Sequence, residues 1–256
     1  DPQFTGAGQG ALIVLDGLGE IATERGDYAT ATALLEEALT LYRELGDPSG
    51  IANMLIQLGW AAMRTGDCEA AHTMLEEALA LQRQLGDRAR TALAQSGLGE
   101  VAVRQGDFDR AAVLLEESMA TRKALGQKWG VATVYGTMAW SAMLKGDYHG
   151  AIDLLGESIA IRKELGDKGG VAWCLERLAE IAHALGRHTR AATLYGAAAA
   201  MRESIGSVVD PADQAEHDRR VVAVRARMTQ GEWQRYTGEG RAMAFEQAVE
   251  YALQGE

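Results

Sequence analysis

Apolar residues recur along the chain at the spacing of helix faces. Within residues 49–86, a first set follows i, i+4, i+7, i+11 spacing: Ile51, Leu55, Leu58 and Ala62. A second set follows after a Gly-Asp pair: Ala71, Met74, Leu75, Ala78, Leu79 and Leu85. Gly favours the left-handed backbone that ends a helix, and Asp caps the start of the next one. The pattern therefore predicts two antiparallel helices joined by a short turn.

This helix pair repeats with a fixed period. The Gly-Asp pair recurs every 40 residues, at Gly26-Asp27, Gly66-Asp67, Gly106-Asp107 and Gly146-Asp147, and a fifth copy reads Gly186-Arg187. A second marker has the same period: Leu45-Gly46-Asp47, Leu85-Gly86-Asp87, Leu125-Gly126-Gln127, Leu165-Gly166-Asp167 and a degenerate Ile205-Gly206-Ser207. Such a period is typical of a stacked repeat array, which offers an extended surface rather than a closed pocket. We therefore expect recognition rather than catalysis.

Small residues keep the same register within the helices. The first helix carries Gly19, Gly59 and Gly99, continued by Ala139 and Ala179, and the second carries Ala31, Ala71, Ala111, Ala151 and Ala191. A Gly inside a helix costs about 1 kcal/mol relative to Ala. Its recurrence predicts a steric need, namely a close approach of the two helices in each unit, with the glycine of the first helix against the alanine of the second.

The segment after Gly206 loses the period. Asp210 and Pro211 form a helix-start signal, and the helix is predicted to run to about Gln230. Its predicted inner face carries His217, Val221, Val224 and Met228, with Trp233 and Tyr236 packing back on it. A final helix is predicted at about 245–253, where Ala244 lacks a capping side chain. Because a terminal repeat needs its apolar face covered, residues 207–256 are interpreted as a helical cap.

Composition supports an almost entirely helical protein. Hydrophobic residues make up 47% of the chain, and there are 3 prolines. The net charge of −11 argues against direct nucleic-acid binding, because phosphate contacts need a basic face. No apolar run approaches the roughly 18 residues of a membrane helix. Cys68 and Cys174 fall in non-neighbouring repeats, so we expect no disulfide and a cytoplasmic location.

The repeat resembles the tetratricopeptide (TPR) family. The matching positions are Leu58-Gly59, Gly66-Asp67, Ala71, Leu75 and Ala78-Leu79. The common unit has 34 residues, and this chain is similar to the longer 40-residue subclass. The resemblance implies an all-α fold, a right-handed α-solenoid of five helix-turn-helix TPR units plus a C-terminal helical cap. The expected boundaries are a leader or cloning remnant at 1–9, units at about 10–46, 47–86, 87–126, 127–166 and 167–206, and the cap at 207–256.

The tail resembles a narrower group of proteins. Residues 191–198 and Met201-Arg202-Glu203, then Gly240-Arg241 and the run 246–253, are similar to the carboxy-terminal region of bacterial STAND-type regulatory ATPases, often with LuxR-type DNA-binding domains. This resemblance implies that the chain is a fragment of a longer regulator with an upstream nucleotide-binding module.

The TPR resemblance also implies a binding surface. In that family the first helix of each unit lines a concave groove, and the residue after the Leu-Gly pair faces it. The predicted groove residues are Trp60, Trp140, Trp173, Met63, Met143, Asn53, Arg64, Glu20, Glu100, Arg104, Glu176 and Glu180. The tryptophans are interpreted either as anchors for a partner or as packing between adjacent first helices. The acids form either a groove for basic ligands or a solvated face.

Residues for other chemistry are missing from the sequence. The five histidines and two cysteines have no metal-ligand spacing, so neither metal nor cofactor is expected. GxxxxGK[ST], GxGxxG after a strand, and GxSxG are absent. Arginines at 219, 220, 225 and 227 are interleaved with acids, which disfavours a DNA-contacting helix.

The sequence thus predicts a non-catalytic recognition region of a larger cytoplasmic signalling or transcriptional regulator. A protein or peptide is expected in the concave groove, and other domains of the parent chain are a second kind of partner. Neither nucleic acid nor membrane is expected as a direct partner, although the parent chain could carry an upstream NTPase module. The alternative is a free-standing TPR scaffold that assembles proteins. An enzyme, the third hypothesis, has no supporting residues.

Overall fold

A computed structural model describes residues 7–254, except the side chains of several α1 residues. Within this range all regular secondary structure is helical. The helices are α1 (Ala7–Glu24), α2 (Tyr28–Leu45), α3 (Pro48–Thr65), α4 (Cys68–Leu85), α5 (Arg88–Gln105), α6 (Phe108–Ala124), α7 (Lys128–Leu144), α8 (Tyr148–Leu165), α9 (Lys168–Ala184), α10 (His188–Ile205), α11 (Pro211–Arg225), α12 (Gln230–Arg241) and α13 (Phe245–Leu253). Residues 1–6 of the predicted leader lie outside the described range, and 7–9 already belong to α1. No helix in the described range is both long and apolar enough to cross a bilayer.

The turns have the predicted chemistry. A glycine with positive φ, between +65° and +93°, stands at every twentieth residue from Gly26 to Gly206. The following Asp then caps the next helix, as where Asp67 Oδ1 accepts from the Ala70 N–H at 3.0 Å. Gln127 and Arg187, which replace Asp in two turns, make no side-chain cap. The helix stops and starts read from the sequence are therefore confirmed, and each has a local cause.

The chain divides into two compact units. The first comprises residues through Thr121 together with Asp210–Ala212, and the second comprises Arg122–Val209 and the residues from Asp213 onward. In the first unit α1 to α5 pack each against the next, and α3 also contacts α5. In the second unit α7 to α10 pack in the same way, and α7 also contacts α9. The first helices of consecutive pairs thus touch within each unit, as in a helical-repeat stack.

The recurrent glycines of the first helices do meet a steric limit. A Cβ atom at Gly59 would lie 2.7 Å from Leu75 Cγ, and one at Gly99 would lie 2.8 Å from Leu115 side-chain atoms. The nearest group is therefore a leucine of the second helix, four residues beyond the alanine that we expected. The close approach is confirmed, and the residue that requires it is corrected.

The inner face of the second helix differs from the prediction at its end. Leu85 is exposed, because it is the last residue of α4, and Gln82 is fully buried instead. Gln82 belongs to a series of large side chains near the ends of the second helices, which is not predicted from the sequence: Tyr42, Gln82, Arg122 and Arg162. The residue eight positions later lies in the first turn of the following helix. In three repeats that later residue is Gly, and a Cβ there would overlap the large side chain: Tyr42 with Gly50, Arg122 with Gly130, and Arg162 with Gly170.

The carboxy-terminal segment contains one helix more than predicted. The helix that begins at Pro211 ends at Arg225 rather than near Gln230, and α12 follows as a separate helix. Thr229 caps α12 with a reciprocal capping box to Glu232, which explains the break. Helix α13 has the predicted bounds, and Gln247 Oε1 accepts from the Ala244 N–H at 2.9 Å, while Ala244 supplies no cap side chain. In the second unit α12 packs on α10, and α13 contacts α8, α9 and α10.

Candidate functional site

In the first unit Trp60 bridges neighbouring first helices. Its ring is half-buried over Gly97 of α5, where a Cβ would lie 3.5 Å from Trp60 Cζ2. The guanidinium of Arg64, one turn along α3, stands 5.5 Å from the ring centroid. Trp60 thus packs between α3 and α5 while part of its surface stays accessible. Glu20, the equivalent residue of α1, has a side chain outside the described set.

Arg64 has an anionic partner from its own chain. Its Nη1 donates to Asp210 Oδ2 at 2.7 Å, and the Tyr28 hydroxyl donates to Asp210 Oδ1 at 2.7 Å. Burial and the neighbouring Asp210 carboxylate raise the pKa of Tyr28, so its phenol stays protonated and donates. About a third of the Arg64 side chain, 30%, is accessible. The predicted groove cation is therefore neutralised within the first unit.

Other predicted groove residues of the first unit are buried or paired. Glu100 and Arg104 form an ion pair at 3.2 Å, with side chains 10% and 11% exposed. Met63 is fully buried in the core. Asn53 is partly accessible, and its Oδ1 accepts from Arg90 Nε at 3.4 Å. Asn53 and Trp60 are thus both partly accessible.

The second unit repeats the tryptophan arrangement. Trp173 of α9 covers Gly136 of α7, where a Cβ would lie 3.2 Å from Trp173 Cζ3, and Arg177 stands 5.3 Å from its ring centroid. Trp140 and Met143 of α7 are half-buried. Packing between adjacent first helices is thus observed for Trp60 and Trp173, and partner binding by these tryptophans stays a prediction.

The two predicted acids of α9 lie in a buried ionic cluster. Glu176 is bidentate to Arg202 of α10, with Nε–Oε1 at 2.7 Å and Nη2–Oε2 at 2.9 Å. Glu180 contacts Arg177 at 3.0 Å and Arg220 of α11 at 2.8 Å. Burial raises the pKa of Glu180, and the two arginines partly oppose this rise. We call Glu176, Arg177, Glu180 and Arg202 the α9 ionic cluster.

Helix α11 lies over the α9 ionic cluster. Besides Arg220, His217 meets the Tyr195 ring edge-on at 5.8 Å between centroids and approaches Glu176 Oε1 to 3.9 Å through Nε2. Val224 is 1% exposed. The face of α9 that was predicted to face a groove is therefore covered, within the second unit, by a helix of the same chain.

Part of the contact between α9 and α11 can be inferred from the sequence. His217 and Val224 stand on the predicted inner face of the helix, and Arg220 follows His217 by three residues, so all three share one side. From the sequence alone, that side of the helix is interpreted as part of the cap and Arg220 as part of a basic cluster. What it missed is that Glu176 and Glu180, four residues apart on α9, complement this side of α11.

Two histidines lie in contact at the turn between α9 and α10. His183 Nδ1 and His188 Nδ1 are 3.1 Å apart. Burial, His188 and Arg227 lower the pKa of His183 below its ordinary 6.5. Because the unfolded chain then takes up the proton first, the free energy of unfolding should fall as pH drops below about 6.5.

We expect His183→Gln to flatten this pH dependence. The measurement is the urea midpoint between about pH 7.5 and about pH 5.5, where histidine ordinarily titrates. His149→Gln, at an exposed position on α8, is the control and should keep the wild-type slope. An unchanged slope in His183→Gln would contradict the assignment.

The described residues contain no group of three or more His, Cys, Asp or Glu side chains that could hold a metal ion. Cys68 and Cys174 are both free thiols, and burial raises the pKa of Cys174.

Comparison with known proteins places the repeat. A tetratricopeptide repeat family model matches residues 10–84, 63–124 and 130–204. The crystal structure of BtubC (BKLC) from P. vanneervenii is similar at 22% identity, covering 76% of this chain and 80% of that one, with a TM-score of 0.58. Two crystal structures of putative kinesin light chain TPR-like repeats from Podosopora anserina, at 20% and 19% identity, each cover 76% of this chain and 96% of that one, with TM-scores of 0.53.

A search of curated proteins gives no match. At these identities the structural likeness shows the fold alone, and it confirms the predicted all-α, TPR-type solenoid class. The family model extends over more than half of the sequence. The chain belongs to the tetratricopeptide repeat family.

Proposed function

We propose that this chain is a non-catalytic recognition region of a larger cytoplasmic regulator, and that its partner binds on the groove-facing side of the first helices. TPR repeats are typical of protein–protein interaction scaffolds. In this proposal the region acts as a sensor that reports partner binding to other domains of the regulator.

The observation that carries the proposal is the contact between α9 and α11. The two acids on the predicted groove face of α9 meet His217 and Arg220 of α11. His217 also packs against the Tyr195 ring of α10, and Val224 of α11 is buried. This is the helix-in-groove mode, in which anchors spaced along one helix face meet a complementary surface. Equivalent positions on other first helices carry Trp60 and Trp140, which suit partner contacts.

The regulator assignment is supported by the tail. Gly240-Arg241 and the run 246–253 resemble the carboxy-terminal region of STAND-type regulators, and they lie in α12 and α13. A coupled regulator would use partner binding to shift an upstream switch between two states. The full open reading frame decides this point, since a gene without a nucleotide-binding or DNA-binding domain would favour the free-standing scaffold instead.

We expect a photo-crosslinking amino acid at Asn53 to capture a partner in the source cells. Asn53 lies on a first helix and is partly accessible, so a groove-bound partner would pass within reach of it. The control position is Glu37, which is exposed on the second helix α2. Mass spectrometry of the adducts should find one partner enriched at position 53 over position 37. Equal crosslinking yields at both positions would contradict partner binding in the groove.

A further inference from the structure

We propose that α11 occupies, on the fifth repeat, the surface to which a partner helix binds. The geometry points to a partner helix that carries a cation and, one turn further along, an aliphatic residue on the same side, as Arg220 and Val224 do. Such a helix would bind the α9 ionic cluster after α11 leaves it. This inference rests on the proposed function, because it names the kind of partner that the groove face accepts.

Helix α11 is attached by a narrow strip of side chains. Val224 is its one buried residue, while Val222 on the opposite side is 64% exposed and the Arg219 side chain is 74% exposed. By contrast, α12 meets α10 at the level of the backbone, as Gly240 shows. An element with so few buried apolar contacts opens at lower free energy than the core around it.

Most ionic contacts beneath α11 do not involve α11 itself. Glu176 keeps both hydrogen bonds to Arg202, and Glu180 keeps its contact with Arg177. What Glu180 loses is its second cation, Arg220, at 2.8 Å. The uncovered surface therefore holds one carboxylate with an open acceptor position near Tyr195, and it attracts a positively charged side chain.

The spacing on α11 defines the shape of the replacement. His217, Arg220 and Val224 stand at i, i+3 and i+7, which is one face of a helix. A partner with the same spacing would reproduce the contact with Glu180 and fill the place of Val224. Because the two helices exclude each other, the partner's apparent affinity falls by the fraction of time that the site is open.

The test compares two matched double variants of the full chain. Arg220→Glu with Val224→Asp changes the side that touches α9, and Arg219→Glu with Val222→Asp makes the same changes of residue type and charge on the exposed side. The probe is a fluorescent peptide of residues 211–227 added in trans. If α11 closes the site for 90–99% of the time, the first variant should bind the peptide roughly 10- to 100-fold more tightly than wild type. The second variant should bind like wild type.

Equal affinities of both variants, or no binding to either, would overturn the inference. Hydrogen exchange on the wild-type chain gives a second reading that does not depend on the variants. We expect the amides of residues 213–225 to exchange faster than those of α9 and α12, and protection equal to that of α9 would also overturn the inference.

The outcomes separate this inference from the proposed function. Peptide exchange without crosslinking at position 53 would leave a self-recognition surface and refute the groove partner. Crosslinking without peptide exchange would keep the partner and refute α11 as its competitor.

Discussion

Gly240→Ala is expected to destabilise the second unit by about 3 kcal/mol, at the upper end of the usual cost of overpacking. A Cβ at position 240 would overlap the backbone carbonyl oxygen of Thr193 and lie 2.9 Å from the Ala197 nitrogen. Neither atom belongs to a flexible side chain, so α12 has to move off α10 to make room. Gly196 makes the reciprocal contact, since a Cβ there would overlap the carbonyl oxygen of Thr237.

Gly238→Ala is the matched control for this prediction. It lies in the same helix, two residues away, and a Cβ there would meet no atom within 4 Å. Because Ala is a better helix former than Gly by up to about 1 kcal/mol, this variant should be slightly more stable than wild type. Urea unfolding followed by circular dichroism measures both. Two variants of equal stability would mean that α12 and α10 are not in backbone contact.

The repeated part of the fold could be predicted because its signals are local and recur. A positive-φ glycine ends each helix of the array, and an Asp beside it usually caps the next helix. Each of these two signals affects only residues a few positions away in the sequence. Ten nearly equivalent turns then reinforce one interpretation, so the helix bounds follow from the sequence.

Helix α12 is missed by the sequence prediction, although Thr229 and Glu232 have the spacing of a capping box. It has a single copy, and its sequence contains three glycines, at 231, 238 and 240, which read as helix breakers. One of them is required by the backbone of α10, which is distant in sequence. A contact of that type decides the structure from outside the segment, against its local propensity.

For a related reason, the sequence predicts the positions of the groove residues but not their exposure. The register of the repeat places Trp60 and Glu180 on first helices at equivalent positions, and that placement follows from the sequence. Their exposure does not, because it depends on Gly97 under Trp60 and on α11 over Glu180. Glu100, Glu176 and Glu180, which the repeat places on first helices, are therefore buried and paired in the folded chain.

Glu176→Gln should cost about 3 kcal/mol, because removing one partner of a buried ion pair leaves the other charge uncompensated. The Glu176 side chain is 3% exposed and that of Arg202 is 14% exposed. Gln keeps the shape and one acceptor oxygen but loses the bidentate carboxylate, so the free energy of unfolding of the second unit falls. Urea unfolding measures the loss, and the double variant with Arg202→Met should recover part of it.

Glu164→Gln is the control that separates the effect of burial from the effect of losing an ion pair. Glu164 contacts Lys128 at 2.7 Å, the same distance as in the Glu176 pair, but both side chains are more than 60% exposed. Solvent screens this pair, so its removal should cause no measurable loss of stability. If Glu176→Gln proved equally harmless, Glu176 would not be committed to the fold. It would then be free to serve as the acidic anchor for a basic partner, and the contact with Arg202 would be the replaceable one.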